Sequence, residues 1–216
     1  MPLGWTLTAI GGHPTLPDNC AVTGGGTSTG VGNVNTQTAT IVLRAGDTVT
    51  CVFENTGQGV TRTQGFWATH ERLARLVWNG GTGYGHNFPG IADKSLCGQV
   101  LTVEMVMGGF WSDISKTTTG TKRSALGQAR MQLLQQLLAA ELNYAAFGTL
   151  PAGGIATINN WETAFCTGNL NAVKNAQQAA ASFNTAGDSN LFTPGTSANS
   201  KEARAIANYV YWDSIN

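Results

Sequence analysis

The chain has 216 residues, long enough to bury a core in one or two domains, and 42% of them are hydrophobic. Only 11% are charged, 12 basic against 12 acidic, where an average globular protein carries roughly 25%. That composition excludes the basic stripe of a nucleic-acid binder and the lysine and arginine cluster of a polybasic membrane anchor, and no apolar run reaches the ~18 residues of a membrane span. With zero net charge and 28 glycines, little electrostatic repulsion holds copies apart, a composition associated with self-association.

The first sixty residues read as β structure. Trp5-Thr6-Leu7-Thr8-Ala9 is a first strand, and a short one surrounds Cys20. The stretch from Gly24 to Asn35 is Gly, Thr, Ser and Asn with almost no hydrophobic mass, which predicts a flexible loop. Ala39, Ile41 and Leu43 alternate as one buried face, Val49, Cys51 and Phe53 as another, and Ala45-Gly46-Asp47 between them predicts a hairpin turn. From residue 61 the period changes to helical. Helices are expected at about Thr63–Trp78, Lys122–Phe147, Ile155–Cys166, Asn169–Phe183 and Ser200–Trp212, the last capped by Ser200. Leu126, Ala129, Leu133, Leu134, Leu137, Leu138 and Leu142 make the second of these the core helix. The fold class is therefore α+β: a partial antiparallel β-sandwich-like segment at 1–60 and an α-helical domain at 61–216.

Cys20, Cys51, Cys97 and Cys166 include no C-x-x-C pair and have no histidine beside them, so zinc-finger and thioredoxin readings fail on spacing. An even count at wide separations favours disulfides. Three connectivities are open, and Cys20 with Cys51 plus Cys97 with Cys166 is preferred because each pair stays inside one region; four buried free thiols are the alternative. Disulfides place the protein outside a reducing cytosol, at the cell surface or beyond it. Met1-Pro2-Leu3-Gly4-Trp5 has no basic n-region followed by an apolar h-region, so a secretion signal is not visible, and no Asn-x-Ser/Thr sequon occurs.

Apparent catalytic motifs lack their context. His70-Glu71-Arg72-Leu73-Ala74 opens like the zinc-protease H-E-x-x-H helix, but alanine stands where the second histidine must be, so His70 is expected to pack near Trp67 and bond a backbone carbonyl. Gly26-Thr27-Ser28-Thr29-Gly30 fits G-x-S-x-G but lies in a polar loop, and Gly187-Asp188-Ser189 is as poorly placed. Asp47, Asp93, Asp113 and Asp188 neighbour small polar residues and are read as turn caps, not calcium ligands. No cofactor, metal site or catalytic group is expected. Trp67, Trp78, Trp161 and Trp212 belong to the core, whereas Phe110 and Trp111, after the glycine pair Gly108-Gly109, are expected at an exposed contact, as is Trp5.

The segment Thr63-Gln64-Gly65-Phe66-Trp67-Ala68-Thr69-His70 resembles the T-Q-G-F/Y-W-x-x-H opening of a domain of large secreted or surface-anchored bacterial and archaeal proteins. The L-L-x-x-L-L-A-A-x-L-N helix of those domains is matched at Leu133 to Asn143. Before it, Gly46 to Thr56 resembles the closing G-D-T-V-T-C-x-F-x-N-T of a prealbumin- or immunoglobulin-like β-sandwich, whose earlier W-x-L strand is matched by Trp5-Thr6-Leu7. The resemblance implies an extracellular structural role and no enzymatic activity. Such a sandwich has about seven strands and only about four precede Gly57, so an edge is left open. Strand addition from a neighbouring copy would close it, as would missing upstream strands or cover from the helical region. The expected function is a subunit of a self-assembling filament, tube or surface layer; the alternative is an adhesive or carbohydrate-binding module that stacks a cell-surface glycan on Trp111.

Overall fold

The computed structural model describes residues 5–11, 19–57, 59–188 and 199–215. It is an α+β protein that divides at Gln58/Gly59 into a β unit and a helical unit.

The β unit has six short strands: β1 (Trp5–Gly11), β2 (Ala21–Thr23), β3 (Thr29–Asn33), β4 (Thr38–Val42), β5 (Thr48–Thr50) and β6 (Val52–Gly57). They pair antiparallel as β1 with β6, β2 with β5 and β3 with β4. An Asn19–Val31 bridge, with the Cys20 amide donating to the Gly30 carbonyl at 2.9 Å, ties the approach to β2 onto β3. Three expectations change here, the first being that six strands and not about four make up this segment. The glycine-rich stretch is not all loop, because it contains β3. Its glycines are there for proximity: a Cβ on Gly32 would lie 2.4 Å from the Ile10 carbonyl oxygen, and one on Gly30 2.7 Å from the Cys20 Cβ. The Ala45-Gly46-Asp47 turn exists, with Gly46 at φ +87° and the Asp47 amide donating to the Arg44 carbonyl at 3.1 Å, but it joins two strands that pair elsewhere. It is a crossing between ribbons, not a hairpin.

The helical unit is built round α4. Before it come α1 (Gln64–Thr69), α2 (Glu71–Asn79), two small hairpins, β7 (Gly81–Gly83) with β8 (His86–Phe88) and β9 (Ser95–Leu96) with β10 (Gln99–Val100), and α3 (Val103–Trp111). Helix α4 (Ala125–Phe147) is followed by α5 (Ile155–Thr167), α6 (Leu170–Ala186) and α7 (Ser200–Ile206), then a 3-10 turn at Val210–Ser214. Leu133, Leu134, Leu137, Leu138 and Leu142 are buried, as are Met131, Ala139 and Ala140, so α4 is apolar nearly all round, as a helix enclosed by others must be. It packs against α1, α2, α3, α5 and α6. The Ser124 hydroxyl caps it by accepting from the Gly127 amide at 3.0 Å, and left-handed Gly148 ends it.

Three helix limits differ from expectation. The first helix is two, broken at His70, whose Nδ1 lies 2.7 Å from the Phe66 carbonyl and whose ring stacks on Phe66 with centroids 4.0 Å apart. Residues 122 and 123 precede α4 in extended form, with the Arg123 amide donating to the Ser115 carbonyl at 2.8 Å. The final helix is capped by Asn199, not Ser200, and stops at Ile206, because the Asn208 amide is drawn to the Glu104 carbonyl at 2.8 Å.

Candidate assembly surface

Sheet pairing decides which side chains of the β unit share a face, since directly opposed residues on antiparallel strands point the same way. Gly30 opposes Ile41 and Gly32 opposes Ala39, so Ile41 stands on the face of the β3–β4 ribbon that meets Ile10 and Cys20. Strand β1 lies over β3. Among the described residues nothing comparable covers β4: Ile41 is 48% exposed and Leu43, just past the strand, 62%. The expectation that Ala39, Ile41 and Leu43 form a buried face is therefore corrected. Their pattern is that of a core, yet Ala39 is only half-buried and the other two are exposed. Phe53, opposite buried Ile10 in the β1–β6 pair, is also 48% exposed; Val31 and Val42 are exposed too, but by the alternation of the strands they stand on the other face of the β3–β4 ribbon from Ile41. Leu7, Ile10 and Cys20 are the buried hydrophobic residues described in this unit. Among the described residues β4 pairs with β3 alone, so its outer backbone groups have no ladder partner.

The surface is uncharged as far as Leu43, with exposed Arg44 beside it. From Cys20 to Leu43 there is no ionisable side chain other than the bridged cysteine, and the next carboxylate, Asp47, is occupied. Its Oδ1 accepts from the Gly26 amide at 2.8 Å and its Oδ2 from the Ser28 amide at 3.1 Å, and bonds from Ser28 and Gly26 hold it below the usual carboxylate range. Ser28 is buried and its hydroxyl accepts from the Arg44 amide at 2.8 Å. The G-x-S-x-G sequence is thus a loop anchor beside Asp47. The disulfide Cys20–Cys51 closes this unit and Cys97–Cys166 joins the β9–β10 turn to α5. No described cysteine is free.

The aromatic contact candidates separate. Phe110 is only 4% exposed: α3 runs straight through Gly108-Gly109 and turns Phe110 into the core, which corrects the expectation of an exposed side chain. Trp111 is partly buried; its Nε1 donates to the Ala68 carbonyl at 2.8 Å and the Arg204 guanidinium lies 4.0 Å over its ring. One face on which a sugar could stack is thus taken by the protein's own arginine. Trp5 lies in β1, and its side chain is outside the described residues, as is Ser189.

A cleft of about 210 Å³ lies between His70, Tyr84, Asn199 and Glu202. Its polar groups are engaged locally: Thr69 Oγ1 donates to the Gly65 carbonyl, Glu202 pairs with Arg72 at 3.1 Å, and Glu71 pairs with Arg75 at 2.8 Å. Burial holds the His70 imidazole below its ordinary range. Asp93 and Asp113 each accept from the amide two residues on, as turn residues do, whereas Asp188 instead faces the Arg62 guanidinium at 3.4 Å. No group of three or more metal-binding side chains occurs among the described residues, and no helix among them is long and apolar enough to cross a membrane. No protein-family model, curated protein or solved structure matches the chain.

Proposed function

We propose that the protein is an extracellular structural subunit that associates with copies of itself through the open face and edge of its β unit. The observation that carries this reading is the exposure of Ile41, on the core-facing side of the β3–β4 ribbon, and of Leu43 just past the end of β4. A second copy is the occupant that fits, because from Cys20 to Leu43 the chain carries no charge with which to select a charged partner. Backbone pairing along β4 would add strand-addition bonds to the apolar contact. Two disulfides are consistent with an environment outside the cytosol.

The test is negative-stain electron microscopy of the purified chain beside an Ile41→Asp/Leu43→Asp variant. Ordered polymers of the parent chain and dispersed particles of the variant are expected. Dispersed particles in both samples would contradict the reading.

A further inference from the structure

Two segments of the helical unit are fixed to α4 by buried polar side chains, one near each end of that helix. At residues 61–62 the Asn143 amide acts as a strand would: its Oδ1 accepts from the Arg62 N–H at 2.7 Å and its Nδ2 donates to the Arg62 carbonyl at 2.9 Å. The same Oδ1 accepts from Trp67 Nε1 at 3.0 Å, and Nδ2 also donates to Asn184 Oδ1 at 2.9 Å. Asn184 is in turn held to Gln136 on α4. The Thr61 N–H donates to the Gly187 carbonyl at 2.9 Å and its hydroxyl to the Asn184 carbonyl at 2.9 Å, while accepting from the Gly187 N–H at 3.0 Å. Asn143 and Asn184 are fully buried and Thr61 nearly so.

At the other end, Arg123 directly precedes the Ser124 cap of α4 and is 2% exposed. Its guanidinium donates to the Trp212 carbonyl at 2.9 Å and to the Ile215 carbonyl, and its Nε to the Asp113 carbonyl at 3.3 Å. Trp212 Nε1 donates to the Met105 carbonyl at 2.8 Å. Arg123 and Asn143 are separated by about 30 Å of helix rise.

We propose that the helical unit is a tension-bearing link, in which load arriving at residues 60–62 passes to α4 through Asn143 and leaves through Arg123 to residues 212–215. Two features favour load transfer over ordinary packing. Each anchor grips backbone groups of the terminal segment itself, so separating the segment breaks several buried hydrogen bonds together rather than in sequence. Asn143 lies within α4, the most enclosed element of the unit, and Arg123 directly precedes its Ser124 cap, so the force is delivered to the part that opens last. This inference concerns the helical unit alone and stands whether or not the β unit mediates assembly.

Optical-tweezers pulling of the full chain tests it, with handles in two geometries: at both chain ends, and in the loop 149–153 together with the C-terminal end, which loads the Arg123 anchor without pulling on residues 60–62. Asn143→Leu is expected to unfold about tenfold faster under load than the parent chain in the end-to-end geometry, the effect of leaving buried partners unpaired, and to be accelerated clearly less in the second, where only its bond to Asn184 is loaded. Arg123→Met is expected to unfold faster in both. If Asn143→Leu does not fold, Thr61→Val, which removes hydrogen bonds of the same anchor, must show the same dependence on geometry. Equal acceleration in both geometries for the residue 61–62 anchor, or none end to end, would overturn the proposal.

Discussion

Gly32 on β3 packs so tightly on Ile10 of β1 that a Cβ at position 32 would lie 2.5 Å from the Ile10 Cβ and 2.4 Å from its carbonyl oxygen. Ile10 is fully buried, with Leu7 and Cys20 the other buried hydrophobic residues described in the β unit. Gly32→Ala is therefore expected to push the β1–β6 ribbon off β3 at a cost of about 1–3 kcal/mol, the usual penalty of overpacking. Hydrogen exchange would locate the effect: amides of β1, β3 and β6 should lose protection while those of α4 keep theirs.

The β unit is closed by Cys20–Cys51, whose sequence separation is 31. Replacing both cysteines by serine should destabilise this unit by about 3 kcal/mol, on the view that the bond restricts the unfolded chain. Limited proteolysis is the check. Cleavage within 19–57 should become rapid, and the fragment from about residue 59 onward should survive.

Much of the helical unit is legible in the sequence, because α4, α5 and α6 have the apolar period of enclosed helices, although the caps Ser124 of α4 and Asn169 of α6 were not singled out. What escapes is set by tertiary contact. Gly108 and Gly109 predict an interruption by propensity, yet they sit inside α3. A Cβ on Gly108 would meet the Asn208 carbonyl oxygen at 2.2 Å, and one on Gly109 the Leu138 side chain at 2.6 Å, so these glycines let other backbone and α4 come close. Phe110 was expected outward for the same reason and points inward. Arg123 and Asn143 carried one readable sign each: a charge beside a helix cap, and a polar residue on the apolar stripe of α4. The alternation Ala39, Ile41, Leu43 was plain, but the sequence alone does not say whether its cover comes from the same chain.

Burial raises the Glu141 carboxyl from 4.5 to about 7, reinforced by the carboxylates of Glu162 and Asp93. A carboxyl whose folded pKa is raised favours the fold while protonated. That contribution is complete below about pH 4.5 and is lost as pH rises through about 7. Glu141→Gln should leave stability unchanged at pH 4 and increase it by roughly 1–3 kcal/mol at pH 8. Urea unfolding across that range, followed by the fluorescence of the buried tryptophans, measures the difference.

Arg204 of α7 stacks on Trp111 of α3, and this contact is expected to contribute about 1 kcal/mol. Arg204→Ala should lower the melting temperature of the helical unit by about 2–4 °C. An unchanged melting temperature, read by calorimetry, would mean that the stacking adds nothing to the attachment of α7.

Whether another copy covers the open side of β4 decides the function proposed for the protein. Light scattering over a concentration series, at low and at high salt, addresses it most directly. The expected result is a mass that rises with concentration, changes little with salt because the contact is apolar, and stays at one chain for Ile41→Asp/Leu43→Asp. A parent chain that remains a monomer at the highest concentration, with Ile41 and Leu43 in water, would contradict it.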